Sequence, residues 1–291
     1  MSVVEAASRH VPGADGNRIH ILEWSAEGVP LLLLHGFGNE AHIWDDFAPV
    51  VAPHYRTIAM DHRGHGDSDW DPEQRYGYGA MLRDLEAVTA ALGIDRVVLI
   101  GHSLGGRIAT LFADRHPERM AGFVLVDIGP ELDPRGTTRI RMSVEANPTP
   151  TFASVEQYAR ALTLAYPAAQ PHALQRMARH GLRLREDGLY ELKIAPALRG
   201  AVRQPASRSE GGTDAMSPEA QWAALARIAC PTLVVRGVAS DILSQDTADK
   251  MVDEVLADAR LAVVPQAGHS VMTDNPEGFE EALTAFLLSE G

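Results

Sequence analysis

Arg96-Val97-Val98-Leu99-Ile100-Gly101-His102-Ser103-Leu104-Gly105-Gly106-Arg107-Ile108 decides the fold of this chain. The run from Arg96 to Ile100 is short, apolar and β-branched, and reads as a buried strand. Leu104 to Ala113 reads as a helix. Between them stands Gly101-His102-Ser103-Leu104-Gly105, a serine on a sharp strand-to-helix turn. That is the setting of a nucleophile elbow. The flanking glycines let two backbones pass closely and let the serine take a strained conformation. Ser103 is therefore the candidate nucleophile.

A serine hydroxyl is weakly nucleophilic at neutral pH. It needs a base within hydrogen-bond reach, and the base needs an acid to orient it. After a nucleophile elbow the partners come in the order Asp or Glu, then His. His269 is the only histidine after His180, and it sits in Pro265-Gln266-Ala267-Gly268-His269-Ser270 behind a strand-like run. It is the candidate general base. Two carboxylates compete for the third place. Asp241 follows Thr232-Leu233-Val234-Val235-Arg236-Gly237, and Asp127 ends Phe123-Val124-Leu125-Val126. Both close a strand at its carboxyl end, where open α/β sheets place their chemistry. Asp241 is the expected acid and Asp127 the rival. Asp246 is expected to support the first turn of the following helix.

Taken with Leu34-His35-Gly36-Phe37-Gly38, Met60-Asp61-His62-Arg63-Gly64-His65-Gly66-Asp67-Ser68, Val126-Asp127-Ile128-Gly129-Pro130 and Gly268-His269-Ser270, these motifs span nearly the whole length. The chain resembles an α/β-hydrolase-fold enzyme of the small, lidded, cofactor-free kind. The resemblance implies a serine, esterase-like hydrolase. It also implies two backbone N–H donors for the oxyanion of a tetrahedral intermediate. Leu104, at a helix N-terminus, and Phe37, in the glycine loop after an early strand, are the expected donors. Haloalkane dehalogenases and epoxide hydrolases of this fold carry aspartate at the elbow, so serine speaks against both. Carbon–carbon hydrolases of the fold usually carry tryptophan after the base histidine, where this chain has Ser270.

Elsewhere apolar runs alternate with helical patterns. Strands are expected near Arg18–Trp24, Pro30–Leu34, Arg56–Met60, Val97–Ile100, Phe123–Val126, Thr232–Arg236 and Leu261–Val264. Helices are expected at Tyr78–Leu92, Leu104–Arg115, Gln245–Leu256 and Pro276–Leu288. This alternation predicts an α/β protein with a mostly parallel sheet and helices on both faces. Residues 131–216 break it: they offer helical stretches such as Val155–Ala165 and Pro171–His180, no convincing sheet strand, and a closing Gly211-Gly212-Thr213-Asp214. They read as a helical lid inserted into a core of residues 1–130 and 217–291.

Residues 131–210 hold eleven arginines and one lysine against eight carboxylates, a net +4, whereas the whole chain is −13. Arginine pairs bidentately with carboxylates, so Arg139, Arg141 and Arg160 are candidates to meet an acidic substrate. A chain of 291 residues at −13 is a poor ligand for nucleic acid or an anionic membrane. The single Cys230 excludes an intrachain disulfide and is expected to be a buried apolar residue. The first residues carry charge and no signal-peptide-length apolar run, so a soluble, cytoplasmic protein is expected. His62 and His65, beside Asp61 and Asp67, lie in a motif read as a structural loop rather than a metal site, and no metal or organic cofactor is expected.

The leading expectation is hydrolysis of a small carboxylic ester through an acyl-enzyme on Ser103. Lactone, amide or carbon–carbon hydrolysis are alternatives within the fold, and a ligand receptor with a vestigial triad is the alternative outside catalysis. The partner is a small-molecule substrate. Its acyl and alcohol groups, and the oligomeric state, are not written in the sequence.

Overall fold

The computed structural model describes residues 5–147, 149–203 and 217–289. Leu31, Leu32, Leu33 and Leu34 are wholly buried, and they show how the fold is assembled. Leucine favours helices, yet these four lie in a strand, Val29–Leu34, with Pro30 near its start. Successive side chains point to opposite faces of a strand. Leu32 and Leu34 therefore enter one core, and Leu31 and Leu33 the other. Every strand near the middle of the sheet divides likewise, with Leu99 and Leu125 on the first face and Ile100 and Val124 on the second. A strand buried on both faces is the mark of a parallel sheet covered by helices on each side.

The main sheet has eight strands. They are β1 (Ala7–Pro12), β2 (Arg18–Glu23), β3 (Val29–Leu34), β4 (Tyr55–Met60), β5 (Val97–His102), β6 (Met120–Val126), β10 (Thr232–Gly237) and β11 (Ala259–Val264). Their order is β1-β2-β4-β3-β5-β6-β10-β11. The pairs β1–β2 and β2–β4 are antiparallel, and all the others are parallel. Helices Tyr78–Ala91 and Leu104–Arg115 bury Leu85, Val88, Ile108 and Phe112 on the first face. Helix Pro276–Leu287 buries Phe279 and Leu283 on the second. The doubly covered, mostly parallel sheet agrees with the alternation in the sequence. The expected helix from Gln245 is α-helical only to Lys250 and continues as a π-helical turn, Met251–Val255.

After β6 the chain leaves the sheet. It forms helices Pro134–Ala146, Val155–Ala165, Pro171–His180 and Pro196–Arg203. It also forms three short strands: β7 (Thr151–Phe152), β8 (Leu182–Leu184) and β9 (Tyr190–Leu192). These pair antiparallel as a separate sheet, β7-β9-β8. The expectation of an insertion without strands is thus corrected, since two- and three-residue strands are too short to show a period. The expected return at Gly211–Asp214 lies outside the described residues.

The motif after β4 is locked by charge. Arg63 is fully buried, and its guanidinium donates to Asp84 through Nε and Nη2. Its Nη1 lies 3.1 Å from Asp15 and 3.2 Å from Asp71. Arg63→Met should cost about 3–5 kcal/mol, because it strands buried carboxylates without a counter-charge. Urea unfolding of the two proteins measures this directly. A loss below about 1 kcal/mol, the range of a surface pair, would show that the network adds no stability.

Candidate active site

Ser103 follows β5 directly, with φ 51° and ψ −113°. A non-glycine residue at positive φ is strained, and it persists only where its surroundings over-determine it. Here the crowding is between backbones. A Cβ on Gly101 would strike the backbone of Gly105 and Gly106, and a Cβ on Gly105 would strike the Leu34 carbonyl. The helix start is thereby pressed against β5 and β3, and the Ser103 side chain is turned into a cavity. The Ser103 N–H still donates to the Val126 carbonyl at 3.2 Å, so the turn is anchored to β6.

The structure brings Ser103 and His269 together. His269 Nε2 lies 3.1 Å from Ser103 Oγ, and His269 Nδ1 lies 2.8 Å from Asp127 Oδ2. The third member of this relay is therefore Asp127, not Asp241. Asp127 is fully buried at φ 49°. Its Oδ1 accepts the Gly237 N–H at 3.2 Å, and its Oδ2 also accepts the Ser240 hydroxyl at 2.6 Å. Asp241 is otherwise engaged. Arg139 reaches it bidentately, Nε to Oδ2 at 2.7 Å and Nη2 to Oδ1 at 2.9 Å. Those bonds hold the Asp241 carboxyl below its ordinary pKa. A partly exposed carboxylate already gripped by a guanidinium is a structural tie, and Asp241 makes no hydrogen bond to His269 among the described residues. Asp246 lies in the first turn of its helix, as expected.

Ser240 and Asp274 carry no motif that marks them in the sequence, and His102, although inside the Gly101–Gly105 turn, has no role assigned to it by that motif. Ser240 holds the Asp127 carboxylate while its own Oγ accepts the N–H groups of Ile242 and Leu243, each at 3.1 Å. His102 Nε2–H donates to the His269 carbonyl at 2.9 Å and so fixes the base loop. Asp274 holds the same loop by accepting the Gly268 N–H at 2.8 Å.

Phe37, Ser103 and Leu104 line one cavity of about 350 Å³. Leu104 is the first residue of its helix, so its N–H falls outside the helical ladder. Tyr76, Tyr78, Met81, Ile128, Leu132, Ile140 and Leu198 supply apolar wall.

Two clusters place three metal-ligating side chains within 4.8 Å of one another: His20, Asp61 and Asp67, and His42, Asp45 and His180. In the first, Asp61 is occupied by protein. It lies 2.7 Å from His20 Nδ1 and accepts the N–H groups of Ala41 at 2.6 Å and Asp67 at 2.8 Å. In the second, the His42 and His180 rings stack at 3.6 Å and His42 Nδ1 lies 3.0 Å from Asp45. Cys230 is half-buried rather than fully buried, and burial raises its thiol pKa. No helix among the described residues is long and apolar enough to cross a membrane.

The family model for the alpha/beta hydrolase fold matches residues 29–276. A 2-(acetamidomethylene)succinate hydrolase of Mesorhizobium japonicum is 26% identical over 260 residues, which cover 89% of this chain and 88% of that protein. A pimeloyl-acyl-carrier-protein methyl ester esterase of Pectobacterium carotovorum is 28% identical over 275 residues, covering 91% and 98%. The crystal structure of an alpha/beta hydrolase from Novosphingobium aromaticivorans superimposes with a TM-score of 0.82 at 32% identity, covering 99% of each chain.

Four histidines around the site are sealed from water: His35, His62, His65 and His102. Burial pushes His62 and His102 down to about 3 and His65 to about 4, and it lowers His35 as well. In the unfolded chain each titrates near 6.5. Between those values the unfolded state binds more protons, so stability must fall as pH drops below about 6.5. By pH 5 His62, His65 and His102 each withdraw up to about 2 kcal/mol, and His35 acts in the same direction. Chemical unfolding at pH 7.5, 6 and 5 should show a progressive loss of several kcal/mol. A flat profile would mean that these rings are protonated in the native protein.

Proposed function

The chain belongs to the α/β-hydrolase fold family and is a hydrolase, and from that premise we propose that it cleaves a small carboxylic ester through an acyl-enzyme on Ser103. The observation that carries this reading is the unbroken run of contacts from Asp127 through His269 to Ser103 Oγ, opening into a mostly apolar cavity. His269 Nε2 takes the Ser103 proton as Oγ attacks the carbonyl carbon, then gives it to the departing alcohol. Asp127 accepts from Nδ1–H, fixes the tautomer, and stabilises the imidazolium that forms. The N–H groups of Phe37 and Leu104 receive the developing oxyanion. In the second half His269 draws a proton from water as the water oxygen adds to the acyl carbon, and collapse of that intermediate expels Ser103 Oγ, which takes the proton back from His269 as the acid is freed. None of these steps draws on a metal or an organic cofactor. The same relay can open a lactone or an amide. Ester is favoured by the relative that is named as a methyl ester esterase.

In this reading the helical insertion acts as a lid. Thr137, Thr138, Ile140 and Arg141 of helix Pro134–Ala146 face the same cavity as Ser103. They would shield the acyl-enzyme from bulk water.

A fluorophosphonate should label Ser103 stoichiometrically, and Ser103→Ala should abolish both labelling and ester turnover. Mass-spectrometric mapping of the adduct to another residue would sink the assignment. Asp127→Asn should lower kcat by about 10⁴-fold, since an amide favours the wrong imidazole tautomer. Asp241→Asn should cost far less, because it breaks a tie between helix and core and leaves the relay intact. Steady-state kinetics of the two variants rank them, and the reverse ranking would restore Asp241 as the acid.

A further inference from the structure

We propose that the cavity beside Ser103 selects substrates bearing a free carboxylate, and that Arg141 is the residue that recognises it. The inference deepens the hydrolase reading above and rests on it for the position of the scissile bond. Three arginines of the insertion are candidates by sequence, and the geometry separates them. Arg139 is committed to Asp241 by two short hydrogen bonds. Arg160 is exposed on helix Val155–Ala165 and does not line the cavity. Arg141 does line it. Its ion-pair partner is Glu145, one turn away at 3.9 Å, with side chains 52% and 46% exposed. A pair so long and so wet contributes little, and a substrate carboxylate can displace it.

The rest of the wall suits an anion. Arg107, one turn beyond Ser103 on the same helix, lines the cavity too, with Nη2 at 3.5 Å from the Gly129 carbonyl. Among the described residues the lining holds these two guanidiniums and no carboxylate. This happens in a chain whose formal charge is −13. Of the two arginines, Arg141, with its long and exposed tie to Glu145, is the one that a substrate anion can engage. Phe37, Tyr76, Tyr78, Met81 and Ile128 give the same cavity apolar surface along which a substrate's methylenes can lie. The guanidinium fork matches the two oxygens of a carboxylate. The substrate class that fits is a monoester of a dicarboxylic acid. Its ester carbonyl would lie at Ser103, its methylenes along the apolar wall and its free carboxylate at Arg141.

The test compares monoethyl succinate, glutarate and adipate with their uncharged terminal amides. The best anionic member should exceed its amide at least tenfold in kcat/KM. Arg141→Gln should remove that preference, chiefly through KM, so that acids and amides measured with the same variant have equal kcat/KM. Arg160→Gln should leave the preference intact. Calorimetry of glutarate and adipate with the Ser103→Ala protein gives a readout independent of turnover, in which Arg141→Gln should weaken binding at least tenfold. Equal rates for acids and amides with Ser103 still labelled by fluorophosphonate would overturn the inference and leave the hydrolase reading standing. Diacid binding that depends on Arg141, in a protein that neither labels nor turns over esters, would do the opposite. A preference that survives in Arg141→Gln would assign the recognition elsewhere and overturn it too.

Discussion

The sheet's carboxyl edge is the constraint on which the site depends. Adjacent parallel strands β5 and β6 each end in a non-glycine residue forced to positive φ, Ser103 at 51° and Asp127 at 49°. Both keep one more ladder bond after the strand stops: the Ser103 N–H to Val126 at 3.2 Å, and the Asp127 N–H to Val235 at 2.8 Å. The backbone is therefore fixed up to the residue that turns. Beyond that residue the chain must bend sharply, and the side chain is delivered to the same edge each time. Backbone strain of this kind costs on the order of 1–3 kcal/mol per residue, and the buried leucine and valine layers beneath it can hold it.

That constraint also explains which site residues could be read from the sequence. Ser103 and His269 are announced by punctuation: glycines around the serine, and a lone histidine after the last strand. Asp127 and Asp241 are not separable by the same signal, since each comes after an apolar strand and each precedes His269. Burial separates them. Asp127 stands in Val124-Leu125-Val126-Asp127-Ile128, with no charged neighbour to compensate it, and its strand lies beside that of Ser103. Asp241 follows the next strand over, about 5 Å farther along the sheet. A carboxylate sealed at the end of an apolar strand has to be paired, and here the available partners are His269, Ser240 and the Gly237 N–H. The clue lay in the pattern of neighbours, not in the spacing.

The sheet is legible because its strands are buried on two faces and carry long apolar runs. β1 is not, because it is an edge strand in which only Val11 is buried. The small sheet of the insertion gives no signal because its strands are two or three residues long. The side-chain ties are beyond reach for another reason. Arg63 meets Asp84 across 21 residues and Arg139 meets Asp241 across 102, so no local pattern records either pair.

The loop after β10 joins these levels. Gly237 and Ser240 hold the Asp127 carboxylate that orients His269. One residue later, Asp241 takes Arg139 through its side chain and the Gly136 N–H through its carbonyl at 2.9 Å, and the Ile242 carbonyl takes the Asp133 N–H at the same distance. Gly136 has to be glycine there, because a Cβ would collide with the Asp241 carbonyl. The start of the helix that carries Arg141 is thus pinned to the loop that steadies the acid of the relay. Asp241, outside the relay, is the tie between the cavity wall and the loop that holds the Asp127 carboxylate against His269.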